Sequence, residues 1–283
     1  MTALTAPPPS HRAATTPVGA ALPVLLRYLR ETRLLVGRGL RTIPRVPMRL
    51  SDVTVQPIVF TLLFLYVFGS AIHVPGMHYQ DYLLPGMLAQ SVAFGVIGSG
   101  VATATDFTAG VVDRFTSLPI TRLSVVTAQL VGQMIEQVIG MLVVAGVGLG
   151  LGWRPHLDLP AALELLGVLA LGLVAFTTLG LLLGVALASA DAVQGIGFAV
   201  VFPLAFLGGT FVPIQGMSTV PRTLAEYNPL SALVAAVRGL TQGTASTGSW
   251  PLEHPVPASV AFCLAITAVC LPLTVHLFAR ASR

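Results

Sequence analysis

The sequence predicts an all-α membrane protein with six transmembrane helices, an N-terminal interfacial amphipathic helix, and a re-entrant helical hairpin between helices five and six. Composition supports this fold class, because 54% of the residues are hydrophobic, only 9% are charged, and the mean hydropathy is +0.85. Soluble domains carry about 25% charged residues, so this chain lacks the means to build a water-facing surface. Several apolar stretches also reach the roughly 20 residues that a membrane-spanning helix needs.

The positive charge of the chain comes entirely from arginine. The formal net charge is +4, and all 15 basic residues are Arg. Many of them precede the first apolar stretch, where arginines orient a chain at a membrane surface. We therefore predict contact with the lipid bilayer and no binding of nucleic acid.

The N-terminal region divides into two parts. Residues 1–21 are rich in Pro, Ala and Thr and lack the apolar core of a signal peptide, which predicts a disordered cytoplasmic tail. In residues 22–47, leucines recur near helical spacing with arginines between them. This segment is too charged to span, so we expect an amphipathic helix lying in the membrane interface. Pro44 and Pro47 are expected to end it.

Six apolar stretches follow that are long enough to cross a bilayer. The predicted spans cover residues 53–72, 83–104, 123–151, 161–188, 192–212 and 256–278. The third and fourth exceed the minimum length, so we expect them to tilt or to extend beyond the hydrocarbon.

The distribution of arginine predicts the orientation of these spans. With both termini in the cytoplasm, the inner segments hold 12 of the 15 arginines, and the outer segments hold only Arg154, Arg222 and Arg238. Arginine is enriched on the cytoplasmic side of membrane proteins. We therefore expect a multi-pass protein of a bacterial cell membrane with cytoplasmic N- and C-termini.

The outer segment of residues 213–255 is long for a simple loop. After Asn228-Pro229, the apolar residues Leu230, Leu233, Val234, Val237 and Leu240 follow helical spacing. We expect a re-entrant helical segment, since non-helical backbone at membrane depth is tolerated only where protein or water surrounds it.

The segment between spans two and three, residues 105–122, carries charge in an otherwise apolar region. On a helix, Val111, Phe115 and Leu118 share one side, whereas Asp113 and Arg114 face the other, and Pro119 ends the helix. From the residues alone, a solvated connector and a short helix docked on a cytoplasmic partner are equally supported.

Motifs spread over several loops resemble the type 2 ABC transporter permeases, and among them the daunorubicin-resistance membrane-protein branch. The resemblance covers nearly all of the chain after Leu22. It is carried by Tyr82-Leu-Leu-Pro-Gly86, Gly98-Ser-Gly100, Asp106, Gly110-Val-Val-Asp113-Arg114-Phe115, Ser117-Leu-Pro119, Phe202-Pro203, Gly208-Gly209, Pro213, Met217, Pro221, Asn228-Pro229 and Arg238.

The resemblance implies that residues 105–122 form a coupling helix on a separate ATPase subunit. The implied docking residues are Asp113, Arg114, Phe115, Leu118 and Pro119. The sequence contains no Lys, so it lacks the phosphate-binding P-loop. ATP and Mg are therefore expected at the partner ATPase, and this chain is expected to bind no cofactor. The resemblance also implies a pair of permeases, as a homodimer or with a sister permease.

A polar stripe runs along the third span. It contains Gln129, Gln133, Glu136, Gln137 and Gly140, and an ionisable group at that depth is costly. One interpretation places Glu136 and Gln133 on a substrate pathway. The other, which we favour because the resemblance does not mark Glu136, is hydrogen bonding between helices.

Aromatic residues gather in the outer half of the fifth span around Pro203. Phe202, Phe206 and Phe211 are hypothesised to form an apolar exit gate at the axis of a permease pair. Ordinary lipid-facing side chains are an equally supported interpretation.

The predicted function is the permease subunit of an ATP-driven exporter that moves an amphiphilic natural product, such as an anthracycline-like antibiotic. The alternative is export of a cell-envelope lipid or polysaccharide carrier by the same mechanism. An intramembrane enzyme is disfavoured because Glu136 is the only deep carboxyl group, and a passive channel because no filter motif is present. The histidines are not spaced as metal ligands, so we predict no metal site and no catalytic residue.

Overall fold

The computed structural model describes residues 28, 30, 32–34, 36–37, 47–72, 74, 76–109, 122–244 and 248–281, with the backbone alone for 47–53, 122–123, 279 and 281. Across these residues the regular elements are all helical. Five helices are long and apolar enough to cross a membrane, and one shorter apolar helix covers Thr54–Phe68. The predicted all-α membrane fold class is therefore confirmed.

Nine helices are labelled in chain order within the described residues. They are α1 (Pro47–Leu63), α2 (Tyr79–Thr108), α3 (Arg122–Gly150), α4 (Leu159–Leu187), α5 (Ala190–Leu207), α6 (Thr219–Glu226), α7 (Pro229–Gln242), α8 (Trp250–Glu253) and α9 (Pro255–Ala281). The five spanning candidates are α2, α3, α4, α5 and α9. The first predicted span corresponds to α1 and its continuation as a π-helix over Phe64–Phe68.

Helix α1 begins earlier and ends earlier than the predicted span of 53–72. It starts at Pro47, which was expected to end the preceding helix. Proline is favoured in the first turn of a helix, where its missing N–H would have no intrahelical partner. The π-helix that continues α1 ends at Phe68 with Gly69 as its C-cap residue, shortly before the predicted limit.

Helices α2 and α5 also differ from their predicted spans. Helix α2 runs to Thr108, so residues 105–108, which were assigned to the coupling segment, continue this helix. Helix α5 ends at Leu207 rather than at 212, because Gly208-Gly209 follows and Gly209 adopts φ 67°. A left-handed residue of this kind commonly terminates a helix.

Helix α2 occupies the centre of the bundle. It packs against α1, α3, α4, α5 and α7, while α4 packs in turn against α9. Helices α2 and α4 approach closely at glycines, since a Cβ on Gly184 would lie 2.5 Å from the carbonyl oxygen of Gly100. Small residues permit this approach between membrane helices, and Gly180 lies equally close to Val96 and Ser99 of α2.

Helices form much of the described chain between α5 and α9. A 3₁₀ turn at Ile214–Gly216 precedes α6 and α7. Asn228 caps α7, because its Oδ1 accepts from the Leu230 amide at 2.9 Å while its Nδ2 donates to the Leu204 carbonyl at 2.8 Å. The helix predicted from apolar spacing is present as α7, and it packs against α2, α4 and α9. Its depth in a bilayer stays a prediction.

The N-terminal region contacts the bundle at the end where α2 finishes and α3 begins. Within residues 22–47, the described residues before Pro47 are helical, and the Tyr28 hydroxyl lies 2.8 Å from the Thr127 hydroxyl of α3. Residues 1–21 and 110–121 lie outside the described residues.

Candidate functional site

A cavity of about 1060 Å³ lies between α1, α2, α3 and α5, and we call it the amide cavity. Its polar lining consists mainly of glutamine amides together with one carboxyl group. These side chains are Gln56 of α1, Gln90 of α2, Gln133, Glu136 and Gln137 of α3, and Gln194 of α5.

Two amide oxygens on the wall of this cavity lack hydrogen-bond partners among the described residues. They are Oε1 of Gln90 and Oε1 of Gln137, and both are buried. Buried polar atoms without partners are costly and infrequent in folded proteins. The wall of the cavity therefore contains two buried hydrogen-bond acceptors that no described residue satisfies.

Gln137 is held in place by its neighbours. Its Nε2 donates to the Thr177 hydroxyl of α4 at 3.1 Å. The amide group also lies directly over Gly95 of α2, where a Cβ would overlap it. Gly95 therefore makes room for a polar group that faces the cavity.

The remainder of the cavity wall is apolar and aromatic. Phe60 of α1, Phe94 of α2 and Phe198 of α5 all line it. The rings of Phe94 and Phe198 meet edge to face with centroids 6.3 Å apart, an arrangement that aromatic pairs favour. A cavity with apolar walls and a few polar groups suits a ligand that is itself amphiphilic.

The structure divides the polar stripe predicted on α3. Gln133, Glu136 and Gln137 line the amide cavity, as does Gly140. Gln129 does not line it, and its Nε2 instead donates to Oδ2 of Asp106 at 3.0 Å. Gln129 and Gln137 thus make the helix–helix hydrogen bonds of the favoured interpretation. Gln133 and Glu136 line the cavity, and their place on a substrate pathway stays a prediction.

The three phenylalanines of the predicted exit gate lie together, away from the amide cavity. Phe202 and Phe206 have ring centroids 4.7 Å apart, and Phe206 and Phe211 have theirs 4.9 Å apart. Phe211 is buried, and its ring stacks on that of Phe64, in the π-helix that follows α1, with centroids 3.8 Å apart. Phe202 and Phe206 remain 40% and 39% exposed, and Pro203 lies within α5. The gate stays a prediction.

The predicted coupling residues Asp113, Arg114, Phe115, Leu118 and Pro119 lie outside the described residues. The chain on either side of them is described. Helix α2 ends at Thr108 and α3 begins at Arg122, so the coupling segment joins these two ends. The contact between Tyr28 and Thr127 lies at the same end of the bundle.

Sequence reasoning missed three of the five glutamines that line the amide cavity. Gln56, Gln90 and Gln194 lie on three different helices, each within a predicted membrane span. That position was the available signal, because an amide in a membrane helix generally faces a partner or a cavity.

A second cavity, of about 920 Å³, lies at the end of the bundle where α2 begins, and we call it the arginine cavity. It is bounded by the start of α2, the end of α5, residues 212–216 and α7. The half-buried guanidinium of Arg238 lies 3.6 Å from the ring centroid of Tyr82. Its Nε and Nη2 donate to the Tyr82 carbonyl at 3.1 and 3.0 Å, and Nη2 also donates to the Gly209 carbonyl at 2.9 Å.

These contacts join the start of α2 to the end of α5. The Tyr82 hydroxyl also donates to the Gly209 carbonyl at 2.7 Å, and the Tyr79 hydroxyl donates to the Phe211 carbonyl at 3.2 Å. Burial lowers the pKa of the Arg238 guanidinium, and the neighbouring Tyr82 raises it. Arginine keeps its proton in proteins, so this cavity carries a permanent positive charge.

Acidic, cysteine and histidine side chains are scattered through the described part of the chain. They form no cluster there that could hold a metal ion.

Comparison with known proteins identifies the family. The family model described as ABC-2 type transporter matches residues 30–241. The daunorubicin resistance ABC transporter permease protein DrrB1 of Streptomyces coeruleorubidus is 28% identical over 273 residues, covering 93% of this chain and 94% of that protein. The doxorubicin resistance ABC transporter permease protein DrrB of Mycobacterium tuberculosis is 28% identical, covering 84% of this chain and 82% of its own.

A second type of relative is also similar over most of its length. The probable doxorubicin resistance ABC transporter permease protein DrrC of Mycobacterium tuberculosis is 23% identical, covering 90% of each chain. Since the family model spans most of the sequence and the spanning helices agree with it, this chain belongs to the ABC-2 type transporter family.

Proposed function

We propose that this chain is the permease subunit of an ATP-driven exporter, and that it moves an amphiphilic, drug-like natural product out of the cell. The amide cavity carries the proposal, because it combines Glu136 and unpaired amide oxygens with aromatic walls. Relatives named for daunorubicin and doxorubicin resistance support the substrate class.

The chemistry of the cavity favours a ligand that donates hydrogen bonds and carries positive charge. The oxygens of Gln90 and Gln137 accept hydrogen bonds, and the carboxylate of Glu136 attracts a cation. Drug-sized ligands occupy pockets of about 300–1,000 Å³, so the amide cavity is large enough for one. An anthracycline, with a planar ring system and an amino sugar, has both required parts.

The energy for transport is proposed to come from another polypeptide. Without Lys, this chain lacks a P-loop, so ATP and Mg are assigned to a partner ABC ATPase. The segment with Asp113, Arg114, Phe115, Leu118 and Pro119 is proposed to dock on that ATPase. The N-terminal helix, which contacts α3 through Tyr28 and Thr127, lies at the same end of the bundle and is proposed to share the docking.

Transport is further proposed to need two permeases in a bacterial cell membrane, with the N- and C-termini of each in the cytoplasm. The relatives include both DrrB and DrrC proteins, so the second permease is either a copy of this chain or a sister chain. The aromatic row of Phe202, Phe206 and Phe211 then forms the exit gate between them.

The transport step is tested by drug accumulation in a sensitive host that expresses the permease with its ATPase. Glu136→Gln keeps the size of the side chain and removes its charge, so accumulation of doxorubicin should rise toward the level without transporter. Glu164→Gln is the matched control, because Glu164 is exposed on α4. Equal export by wild type and Glu136→Gln at equal expression would remove the assigned role of Glu136, and no export by wild type would refute the drug substrate.

The docking step is tested by co-purification with the ATPase. Arg114→Glu reverses the charge of a proposed docking residue and should abolish co-purification. Arg222→Glu is the control, since Arg222 lies on α6 at the opposite end of the bundle. Retention of the ATPase by Arg114→Glu would contradict docking through this segment.

A further inference from the structure

The arginine cavity has one charged group and no carboxyl group to balance it among the described residues that line it. The other lining side chains are apolar or neutral, including Tyr82, Gln215, Ser231 and Thr244. Removing a charge from water is costly, so even a half-buried charge such as that of Arg238 is stabilised by an opposite charge. Within the described residues, the positive charge of Arg238 is compensated only by backbone carbonyls and an aromatic ring.

The protein contacts of Arg238 occupy one side of its guanidinium. A guanidinium has five N–H donors, and the described hydrogen bonds use Nε and Nη2. No described residue accepts a hydrogen bond from Nη1. A purely structural link between α2 and α5 explains the bonded side and leaves the donors of Nη1 without a role.

A second donor without a described partner lies within the wall of the same cavity. Ser231 lies two turns before Arg238 on α7 and lines the arginine cavity with it. Its hydroxyl is buried and makes no hydrogen bond with any described residue. A buried hydroxyl on a helix commonly bonds the carbonyl one turn earlier, and several threonines of this chain do so. Ser231 does not.

We propose that the arginine cavity binds a phosphate group, with Arg238 Nη1 and the Ser231 hydroxyl as donors. Phosphate oxygens are strong acceptors, and arginine is the side chain best suited to them. A phosphate presents several oxygens, so different oxygens can accept from the two donors. The cavity is larger than a phosphate ion, and it therefore also admits the headgroup of a phospholipid. This site does not depend on the drug bound in the amide cavity.

The test uses the purified full-length chain in a phosphate-free detergent, with melting temperature as the readout. Inorganic phosphate is titrated at constant ionic strength with chloride in one arm, and a short-chain phosphatidylglycerol in the other. A ligand that binds only the folded state raises the melting temperature. Wild type should gain several degrees in at least one arm, and the arm that responds at lower concentration identifies the source of the phosphate.

Three variants test whether the rise in melting temperature comes from phosphate bound in the arginine cavity. Ser231→Ala should lower the apparent affinity for phosphate by about fivefold, the loss of one hydrogen bond, and should leave the melting temperature without ligand unchanged or higher. Arg238→Gln should abolish the response, and Arg222→Gln, which removes an exposed arginine paired with Glu226, should keep it. If Arg238→Gln does not fold, Ser231→Ala decides the question.

Two results would overturn the proposal. The first is an absence of any response by wild type in both arms. The second is an apparent phosphate affinity of Ser231→Ala equal to that of wild type, because the anion would then bind outside the arginine cavity.

Discussion

The amide cavity and the arginine cavity lie along the same helix and have opposite chemistry. The amide cavity borders the middle of α2 and presents acceptor oxygens and the carboxyl group of Glu136. The arginine cavity borders the first turn of α2 and presents the cationic donors of Arg238. One therefore suits a cation that donates hydrogen bonds, and the other suits an anion that accepts them.

The two cavities also differ in how firmly their walls are joined. Around the arginine cavity, Arg238, Tyr82 and Asn228 bond the ends of α2, α5 and α7 to one another. Around the amide cavity, polar atoms of Gln90 and Gln137 have no described partner. The difference indicates a bonded anchor where α2 begins and, at the amide cavity, a wall in which two buried amide oxygens have no described partner.

The largest effect on stability is expected from Arg238→Met, which breaks the anchor. Hydrogen bonds from a charged donor to the Tyr82 and Gly209 carbonyls are lost, so we expect a cost of about 3 kcal/mol. The melting temperature in detergent measures it. Arg222→Gln, in which the lost pair with Glu226 lies on the surface of α6, should cost about 0.5 kcal/mol. Equal losses of stability in Arg238→Met and Arg222→Gln would show that the hydrogen bonds of Arg238 do not stabilise the fold.

Asn228→Ala should have the next largest effect, because it removes both the N-cap of α7 and the bond to Leu204. Together these are worth about 2 kcal/mol. Asn228→Ser keeps a capping oxygen and loses the amide donor, so its melting temperature should fall between those of wild type and Asn228→Ala. A melting temperature for Asn228→Ala equal to that of wild type would contradict the anchor.

Gly95→Ala tests the amide cavity with a smaller change. A Cβ at this position overlaps the Gln137 amide, and overpacking offset by the better helix propensity of alanine should leave a net cost of about 1 kcal/mol. Gly98→Ala is the matched control on the same helix, since nothing lies within 4 Å of its Cβ position. Gly98→Ala should raise the melting temperature above that of wild type. A higher melting temperature for Gly95→Ala than for Gly98→Ala would mean that Gln137 does not lie over Gly95.

Much of the fold follows from local sequence pattern. Apolar stretches predicted the spanning helices, and the spacing of Leu230, Leu233 and Val237 predicted α7. The end of α5 was missed because Gly208-Gly209 lies inside an apolar run whose hydropathy continues to Val212. Hydropathy records where a chain is apolar, whereas a left-handed glycine decides where its helix stops.

The candidate sites depended on contacts between distant positions. Arg238 and Tyr82 both belong to motifs of the family resemblance, but they are 156 positions apart and no local pattern predicted their contact. Gln56, Gln90 and Gln194 converge because α1, α2 and α5 surround one cavity. No local pattern distinguishes Gly95, which contacts Gln137, from Gly98, which has open space.

The central claim, that the amide cavity binds the exported drug, is tested most directly by filling each cavity in turn. Gly98 lines the amide cavity and Gly216 lines the arginine cavity, and a Cβ on either meets nothing within 4 Å. Doxorubicin binding to the purified chain is then followed by the fluorescence of the drug. Gly98→Leu should weaken binding by at least about tenfold, while Gly216→Leu should leave it within about twofold of wild type. Unchanged binding in Gly98→Leu, or a loss confined to Gly216→Leu, would contradict the account.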